Sequence, residues 1–198
     1  MSKTRPPEDI RTAFAAGQRA FGENYIQEGT EKVAALAGLG IEWHFIGALQ
    51  SNKTAIVARD FDWVHGIDRL RIAERLSAQR EARRPPLQVC LQVNVSGEAS
   101  KSGVAPEAVM ALAKAVARLP QLTLRGLMCI PEPSADQVLL RRRFALLRQL
   151  RDELVVEGLA LDTLSMGMSH DLEAAIAEGA TIVRVGTAIF GAREKPAH

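Results

Sequence analysis

The sequence predicts an α/β fold, and three observations carry that prediction. Short runs rich in Val, Ile and Leu recur along the chain, and several are apolar throughout, as parallel strands covered by helices are. Between them lie stretches whose apolar residues keep helical spacing. Strand and helix patterns alternate to the end of the chain. Seven strand candidates are visible: "RAFGEN" (19–24), "EWHFIG" (42–47), "WVHGID" (63–68), "PLQVCLQVNV" (86–95), "LTLRGLMCI" (122–130), "TLSMGMS" (163–169) and "TIVRVGTAIFG" (181–191). An eighth would close a (β/α)8 barrel, typically about 250 residues long, with an open doubly wound sheet as the competing architecture. No Gly-x-Gly-x-x-Gly follows a first strand, which weighs against a dinucleotide fold.

The elements can be justified in order. The first three strand candidates end in glycine and small polar residues: Gly22-Glu23-Asn24, Gly47 and Gly66. "EARRPP" (81–86) reads as a short exposed loop leading into the fourth strand. "LQVCLQV" and "GLMCIP" place Cys90 and Cys129 in buried strands, and two cysteines make no disulfide framework. "AVMALAKAVARL" carries Val109, Leu112, Val116 and Leu119 along one face of a helix. Residues 136–157 repeat the pattern with Leu140, Phe144, Leu147, Leu150 and Leu154. The opposite face of that helix carries Arg141, Arg142, Arg143, Arg148 and Arg151, read as a solvated surface.

Composition bounds the function. The chain has 198 residues, 47% hydrophobic and 24% charged, which suits one globular domain spanning 1–198. A net charge of +2 is too small to argue for a nucleic-acid or membrane partner. No apolar run approaches the roughly 18–20 residues that span a bilayer. The N-terminal stretch shows no apolar run of the signal-peptide kind, and a reducing cytoplasm is the expected setting.

In a barrel, chemistry sits at the carboxyl ends of the strands, and loops after the last two strands frequently bind phosphate. "LSMGMSHDLEAAI" places Ser165 and Ser169 just before a helix with Leu172, Ala175 and Ile176 on one face, and Ser169 can cap it. "VRVGTAIFG" places Gly186 and Thr187 at the end of the final strand. Backbone N–H groups and hydroxyls around a helix start suit a dianionic phosphate, although ordinary turn and cap chemistry uses the same residues. Arg184 shares a strand side with Gly186. A buried arginine there needs an acceptor, either a carboxylate or a ligand. His44, His65 and His170 fall near strand ends, but with no His-x-His or His-Glu-x-x-His pair no metal is expected. His44 is expected to pack and hydrogen-bond, and Asp171 and Glu173 to serve the helix N-terminus. Lys3, in "MSKTRP", reads either as a frayed, solvated end or as a functional amine.

"SKTRP", "FGENYIQE", "EWHFIGALQSNK", "LQVNVSGEASKSG", "RGLMCIP", "LSMGMSHDLEAAI" and "VRVGTAIFGAR" occur in one order from Ser2 to about Arg193. Together they resemble the pyridoxal phosphate homeostasis protein family, single-domain relatives of the alanine racemase barrel. The resemblance implies that pyridoxal 5′-phosphate is the cofactor and that Lys3 forms a Schiff base with it. It matches Ser165, Gly186 and Thr187 to the phosphate-binding positions, Arg184 to the arginine facing the pyridine nitrogen, and Asn24 to a residue beside the ring. His44 lines the implied pocket, and Lys101 stands as a further basic residue near the mouth. An arginine donates to the ring nitrogen without protonating it, which leaves a weak electron sink.

The chain departs from the family pattern in three places. Arg5 replaces a frequent second lysine, and His170 replaces a frequent acidic residue. The first helix and most of the first strand, which normally precede "SKT", are missing. The native chain is therefore expected to begin about thirty residues upstream, given typical barrel length. The chain as given is expected to bind cofactor weakly or not at all.

Function is expected to be that of a non-catalytic carrier in intracellular vitamin B6 homeostasis, with no catalytic residue. Its implied partners are pyridoxal phosphate and the apo-enzymes that receive it, and a monomer is expected. One alternative is a pyridoxal phosphate-dependent racemase or decarboxylase of the same fold. Racemisation needs a proton-transfer group on each face, and no obvious second one accompanies Lys3. A metal-free phosphate-ester enzyme is the other alternative.

Overall fold

The computed structural model describes residues 1–97 and 102–191. Helix α1 (Pro7–Ala15) leads to β1 (Ala20–Glu23), α2 (Ile26–Ala35), β2 (Glu42–Phe45), α3 (Thr54–Asp60), β3 (Trp63–Ile67), α4 (Leu70–Gln79) and β4 (Leu87–Gln92). Then follow α5 (Val109–Val116), β5 (Leu122–Met128), α6 (Gln137–Val156), β6 (Thr163–Met168), α7 (Leu172–Ala177), β7 (Ile182–Arg184) and α8 (Thr187–Phe190). All seven strand candidates form strands, each parallel to the next, so spatial order follows chain order. A doubly wound sheet reverses its order at a switch point. This sheet does not, and it curls into a nearly closed TIM-type barrel.

The seam between the two outer strands is bridged by residues 1 and 2. The Met1 amine donates to the Val185 carbonyl at 2.7 Å, and the Ser2 N–H donates to the Gly22 carbonyl at 3.0 Å. The N-terminal segment therefore occupies the place of an eighth strand without being long enough to count as one.

Helices form where apolar spacing and end chemistry agree. In α6, Leu140, Phe144, Leu147 and Leu154 are buried, with Leu150 packed partly against them. The Asp136 side chain accepts from the N–H groups of Val138 and Leu139 at 2.9 and 3.1 Å, satisfying orphan donors at the helix start. The basic face of α6 is not wholly solvated. Arg141 and Arg148 reach Glu178 at the end of α7, at 2.8 and 3.3 Å. In α5, Val109, Leu112 and Val116 are buried, while Leu119 packs against the core from beyond the helix end.

Three expectations near the last strands are corrected. Asp171, not Ser169, stands at the start of α7, because its carboxylate folds back to accept from the Met168 N–H at 2.5 Å and leaves Ser169 exposed. The buried face of α7 is Ala174 and Ala175, whereas Ile176 is 55% exposed. α7 sits too close to β6 for a larger side chain: a Cβ on Gly167 would lie only 2.7 Å from the Ala175 Cβ. The final strand candidate also proves shorter than read. It ends at Arg184, and Gly186 is the residue before α8.

Candidate functional site

Lys3 is not frayed. Ser2 is fully buried, and the Arg5 N–H closes a turn onto the Ser2 carbonyl at 3.0 Å. The turn places Thr4 at φ 64°, in the left-handed region. Lys3 itself is half-buried, with its Nζ 5.2 Å from the centroid of the Tyr25 ring, a cation–π contact at the carboxyl end of β1. Close by, a Cβ on Gly186 would lie 3.3 Å from the Met1 carbonyl oxygen. The segment carrying Lys3 thus runs between the end of β1 and the turn after β7.

Asn24 follows β1 directly and is half-buried. Its Oδ1 is shut away from solvent with no hydrogen-bond partner among the described residues. An orphan acceptor of this kind costs free energy unless something donates to it. Neighbouring backbone leaves it little room to move, since a Cβ on Gly47 would lie 2.1 Å from the Asn24 carbonyl oxygen.

Inside the barrel the polar side chains form one continuous row. Glu42 Oε1 lies 2.8 Å from His44 Nε2, His44 Nδ1 lies 2.9 Å from His65 Nε2, and His65 Nδ1 lies 2.7 Å from Ser165 Oγ. Arg184 closes the row by donating to Ser165 Oγ at 3.0 Å. It also donates to the Ser165 carbonyl at 2.7 Å and to the Cys129 carbonyl at 2.8 Å. Of the two acceptors considered for this buried arginine, it hydrogen-bonds to no carboxylate among the described residues: its partners there are carbonyls and a hydroxyl. Burial pulls the guanidinium down from its ordinary value, which is high enough to keep it protonated. Burial, with the nearby charges of His44 and Arg184, holds His65 well below the ordinary histidine value, so it is neutral. The hydrogen bond from His44 holds Glu42 below the usual carboxylate range. Where each ring carries a single hydrogen, the tautomers follow: His44 donates to Glu42 from Nε2, His65 donates to His44 from Nε2, and the Ser165 hydroxyl donates to His65. His44 also stacks on Trp63, with ring centroids 5.2 Å apart and planes within 10°.

The sequence-predicted residues therefore fall into two sets. Ser165 and Arg184 touch directly, and His44 joins them through His65. Lys3, Asn24, Gly186 and Thr187 stand at the barrel's mouth and are not hydrogen-bonded to that row among the described residues. Thr187 is exposed and opens α8, where the N–H groups of Thr187 and Ala188 have no protein partner among the described residues. Lys101 lies outside the described residues. A cavity of about 230 Å³ follows the seam between β1 and β7, lined in part by Phe21, Gly22, His44, Arg184, Val185 and Phe190. It reaches the row at His44 and Arg184 and does not reach Lys3.

His65 was legible only as a residue near a strand end. Its role had one faint signal: it is the third residue of β3, as His44 is the third of β2, on the neighbouring strand. No group of three metal-ligating side chains occurs among the described residues. Burial pushes the Cys90 and Cys129 thiols up to about 12, so neither is a nucleophile at neutral pH. Among the described residues, no helix is long and apolar enough to cross a membrane.

The polar groups fit pyridoxal phosphate: an amine at the mouth, a permanently charged donor in the barrel wall, an unpartnered buried amide oxygen as acceptor, and hydroxyl and N–H donors after β7. Comparison with known proteins agrees. Residues 8–194 match the alanine racemase, N-terminal domain family. The chain is 63% identical over 194 residues to the pyridoxal phosphate homeostasis protein of Pseudomonas aeruginosa, covering 98% of this chain and 83% of that one. It is 54% identical over 202 residues to the protein of the same name from Escherichia coli K12, of which it covers 84%. Among solved structures, PipY of Synechococcus elongatus without PLP superposes with a TM-score of 0.90 at 42% identity, over 96% of this chain and 90% of that one. The same protein with PLP bound gives a TM-score of 0.88 at 40% identity. An alanine racemase from Corynebacterium glutamicum, at 16% identity and a TM-score of 0.73, shares the fold. The chain thus belongs to the alanine racemase N-terminal domain family and, within it, to the pyridoxal phosphate homeostasis proteins.

Proposed function

We propose that this chain binds pyridoxal 5′-phosphate as a non-catalytic carrier, and that residues 1–198 act as one binding domain; the expectation of weak binding rested on a frayed Lys3, and the segment is instead tied to Val185 and Gly22. The observation that carries the reading is that Lys3 is held beside Tyr25 at the carboxyl end of β1, on a segment hydrogen-bonded on both sides of the barrel seam. Bound pyridoxal phosphate supplies an aldehyde that condenses reversibly with a primary amine. Lys3 is the amine that holds it. Ser165, Gly186 and Thr187 bind the phosphate, Arg184 donates to the ring nitrogen, Asn24 lies beside the ring, and His44 supports the pocket through His65. The names of the relatives and the PLP-bound structure of PipY support this assignment.

Two features of the residues support a lack of turnover. Racemisation requires an acid/base group on each face of the bound substrate. The chain's one tyrosine, Tyr25, is 55% exposed and already faces Lys3, on the side Lys3 occupies. Arg184 donates to the ring nitrogen without giving up a proton, which weakens the cofactor as an electron sink. The protein works as a cytoplasmic monomer that passes its cargo to apo-enzymes.

The test is borohydride reduction of the loaded protein, followed by peptide mapping and a visible spectrum. The expected result is a yellow protein with the adduct on Lys3. An adduct on Lys53 or Lys101 would overturn the assignment. So, for the carrier role, would sustained amino-acid racemisation or decarboxylation at about 1 s⁻¹ or faster, within the usual enzyme range.

A further inference from the structure

Lys32 sits on α2, and a lysine is ordinarily an exposed residue. It is instead 4% exposed, beside the fully buried Glu23 of β1. Its ammonium has three N–H groups and meets three acceptors: the Ser2 carbonyl at 2.7 Å, Glu23 Oε1 at 2.9 Å and Glu28 Oε1 at 2.5 Å. Glu23 Oε1 also accepts from the Ser2 hydroxyl at 2.6 Å, and Glu28 Oε1 also accepts from the Thr4 N–H at 2.5 Å. The residues immediately before and after Lys3 are thus both tied to one buried ionic group, while the Lys3 side chain is left out of it.

A specific close approach makes this possible. A Cβ on Gly29 would lie 2.7 Å from Phe61 Cζ and 3.2 Å from Glu23 Cβ, so only glycine lets α2 come down onto β1. Buried ion pairs of this kind contribute little net stability compared with apolar packing of the same volume. Their value lies in fixing geometry, and what these three side chains fix is the backbone on both sides of one lysine.

We propose that Glu23, Glu28 and Lys32 are positioning residues that clamp the backbone around Lys3 and hold its amine at the barrel mouth. The proposal rests on the reading of Lys3 as the cofactor-holding amine. A group that must meet a ligand atom in one geometry gains from such rigid support.

The test uses the whole chain, cofactor-free and cofactor-titrated, as Lys32→Met, Glu28→Ala and Glu28→Gln. Without cofactor, acetic anhydride labelling of Lys3 is measured by peptide mapping against the exposed Lys53 of the same molecule. In Glu28→Ala, Lys3 labelling should rise several-fold relative to Lys53, and pyridoxal phosphate should bind about ten-fold more weakly, the worth of one charge-assisted hydrogen bond. Glu28→Gln keeps an acceptor for the Thr4 N–H and should recover most of both losses. Lys32→Met should show the same pattern more strongly. Glu28 is partly exposed, so its variants remain informative even where Lys32→Met fails to fold. Unchanged labelling in a folded Glu28→Ala protein would overturn the clamp, as would altered labelling with unchanged affinity. If labelling responds as expected and the wild-type chain takes up no pyridoxal phosphate, the clamp on Lys3 stands and the cofactor reading fails.

Discussion

Replacing Ser165 with alanine deletes one hydroxyl from the middle of the buried row. Ser165 is fully buried, and its Oγ serves two partners, His65 Nδ1 at 2.7 Å and Arg184 at 3.0 Å. Arg184 is cushioned, because it keeps the Ser165 and Cys129 carbonyls at 2.7 and 2.8 Å. His65 is not cushioned. Its ring is fully buried, and Nδ1 loses its partner. A stranded buried acceptor costs about 1–3 kcal/mol, and the lost bond from a charged donor adds about 1 kcal/mol. The expected destabilisation is therefore about 2–4 kcal/mol, which for a chain of this size lowers the melting temperature by about 5–15 °C. Urea unfolding of the cofactor-free protein measures it, as a lower midpoint at unchanged slope. Adding His65→Phe removes the stranded partner, so the double variant should lose less than the sum of the singles by more than about 0.5 kcal/mol. A single-variant loss below about 0.5 kcal/mol, or strict additivity, would show that the row is not a coupled unit.

Thr187→Val keeps volume and deletes a hydroxyl. It should weaken pyridoxal phosphate binding about ten- to a hundred-fold with the fold intact, and unchanged affinity would place the phosphate elsewhere. His65 is held neutral by burial, so the unfolded chain takes up a proton that the folded one refuses. Its contribution to stability is complete above the unfolded histidine value of about 6.5 and is lost as pH falls below it. Urea midpoints should drop between about pH 7.5 and 5.5, and the drop should be smaller in His65→Phe; an equal drop in both proteins would contradict this. Gly29→Ala should destabilise markedly by pushing α2 off β1, and a melting temperature within about 2 °C of the parent would mean that the helix shifts freely. Cys90 and Cys129, both buried, should resist thiol reagents until the protein unfolds; rapid labelling of the native state would refute their burial.

Much of the fold was legible because strand burial on both faces writes itself as unbroken apolar runs. The limits of α6 were legible for the same kind of reason, with Asp136 capping one end and the apolar stripe running the length of the helix. Ile176 misled because apolar character alone does not say how close two elements come. The face of α7 that meets β6 is the one carrying Ala175, which a Cβ on Gly167 would approach to 2.7 Å, and Ile176 is left exposed. Ser169 misled because α7 starts two residues later than read, with Asp171 before its first residue and Ser169 left exposed. Ser165 and Arg184 were read from their strand positions, and they do meet. His65 and Lys32 were missed as partners of the site. His65 acts through Ser165, 100 positions away, and no local pattern announces that contact, whereas Lys32 carried a local signal, its i,i+4 spacing from Glu28, that reads equally well as a surface pair.

The buried row also has a property of count. Arg184 can only donate, and ionised Glu42, half-exposed at the amino end of β2, can only accept. Between them stand one hydroxyl and two rings, with a single hydrogen to each link. With a single hydrogen on each ring, every hydrogen points towards Glu42, and the Ser165 hydrogen is committed to His65. One further proton on His44 reverses the next two links. His44 then donates to His65, His65 exchanges tautomer and donates to Ser165, and Ser165 accepts from both sides. Its own hydrogen then has no place in the row. The parity of protons on His44, deep in the barrel wall, decides whether Ser165 has a hydrogen to give to anything else.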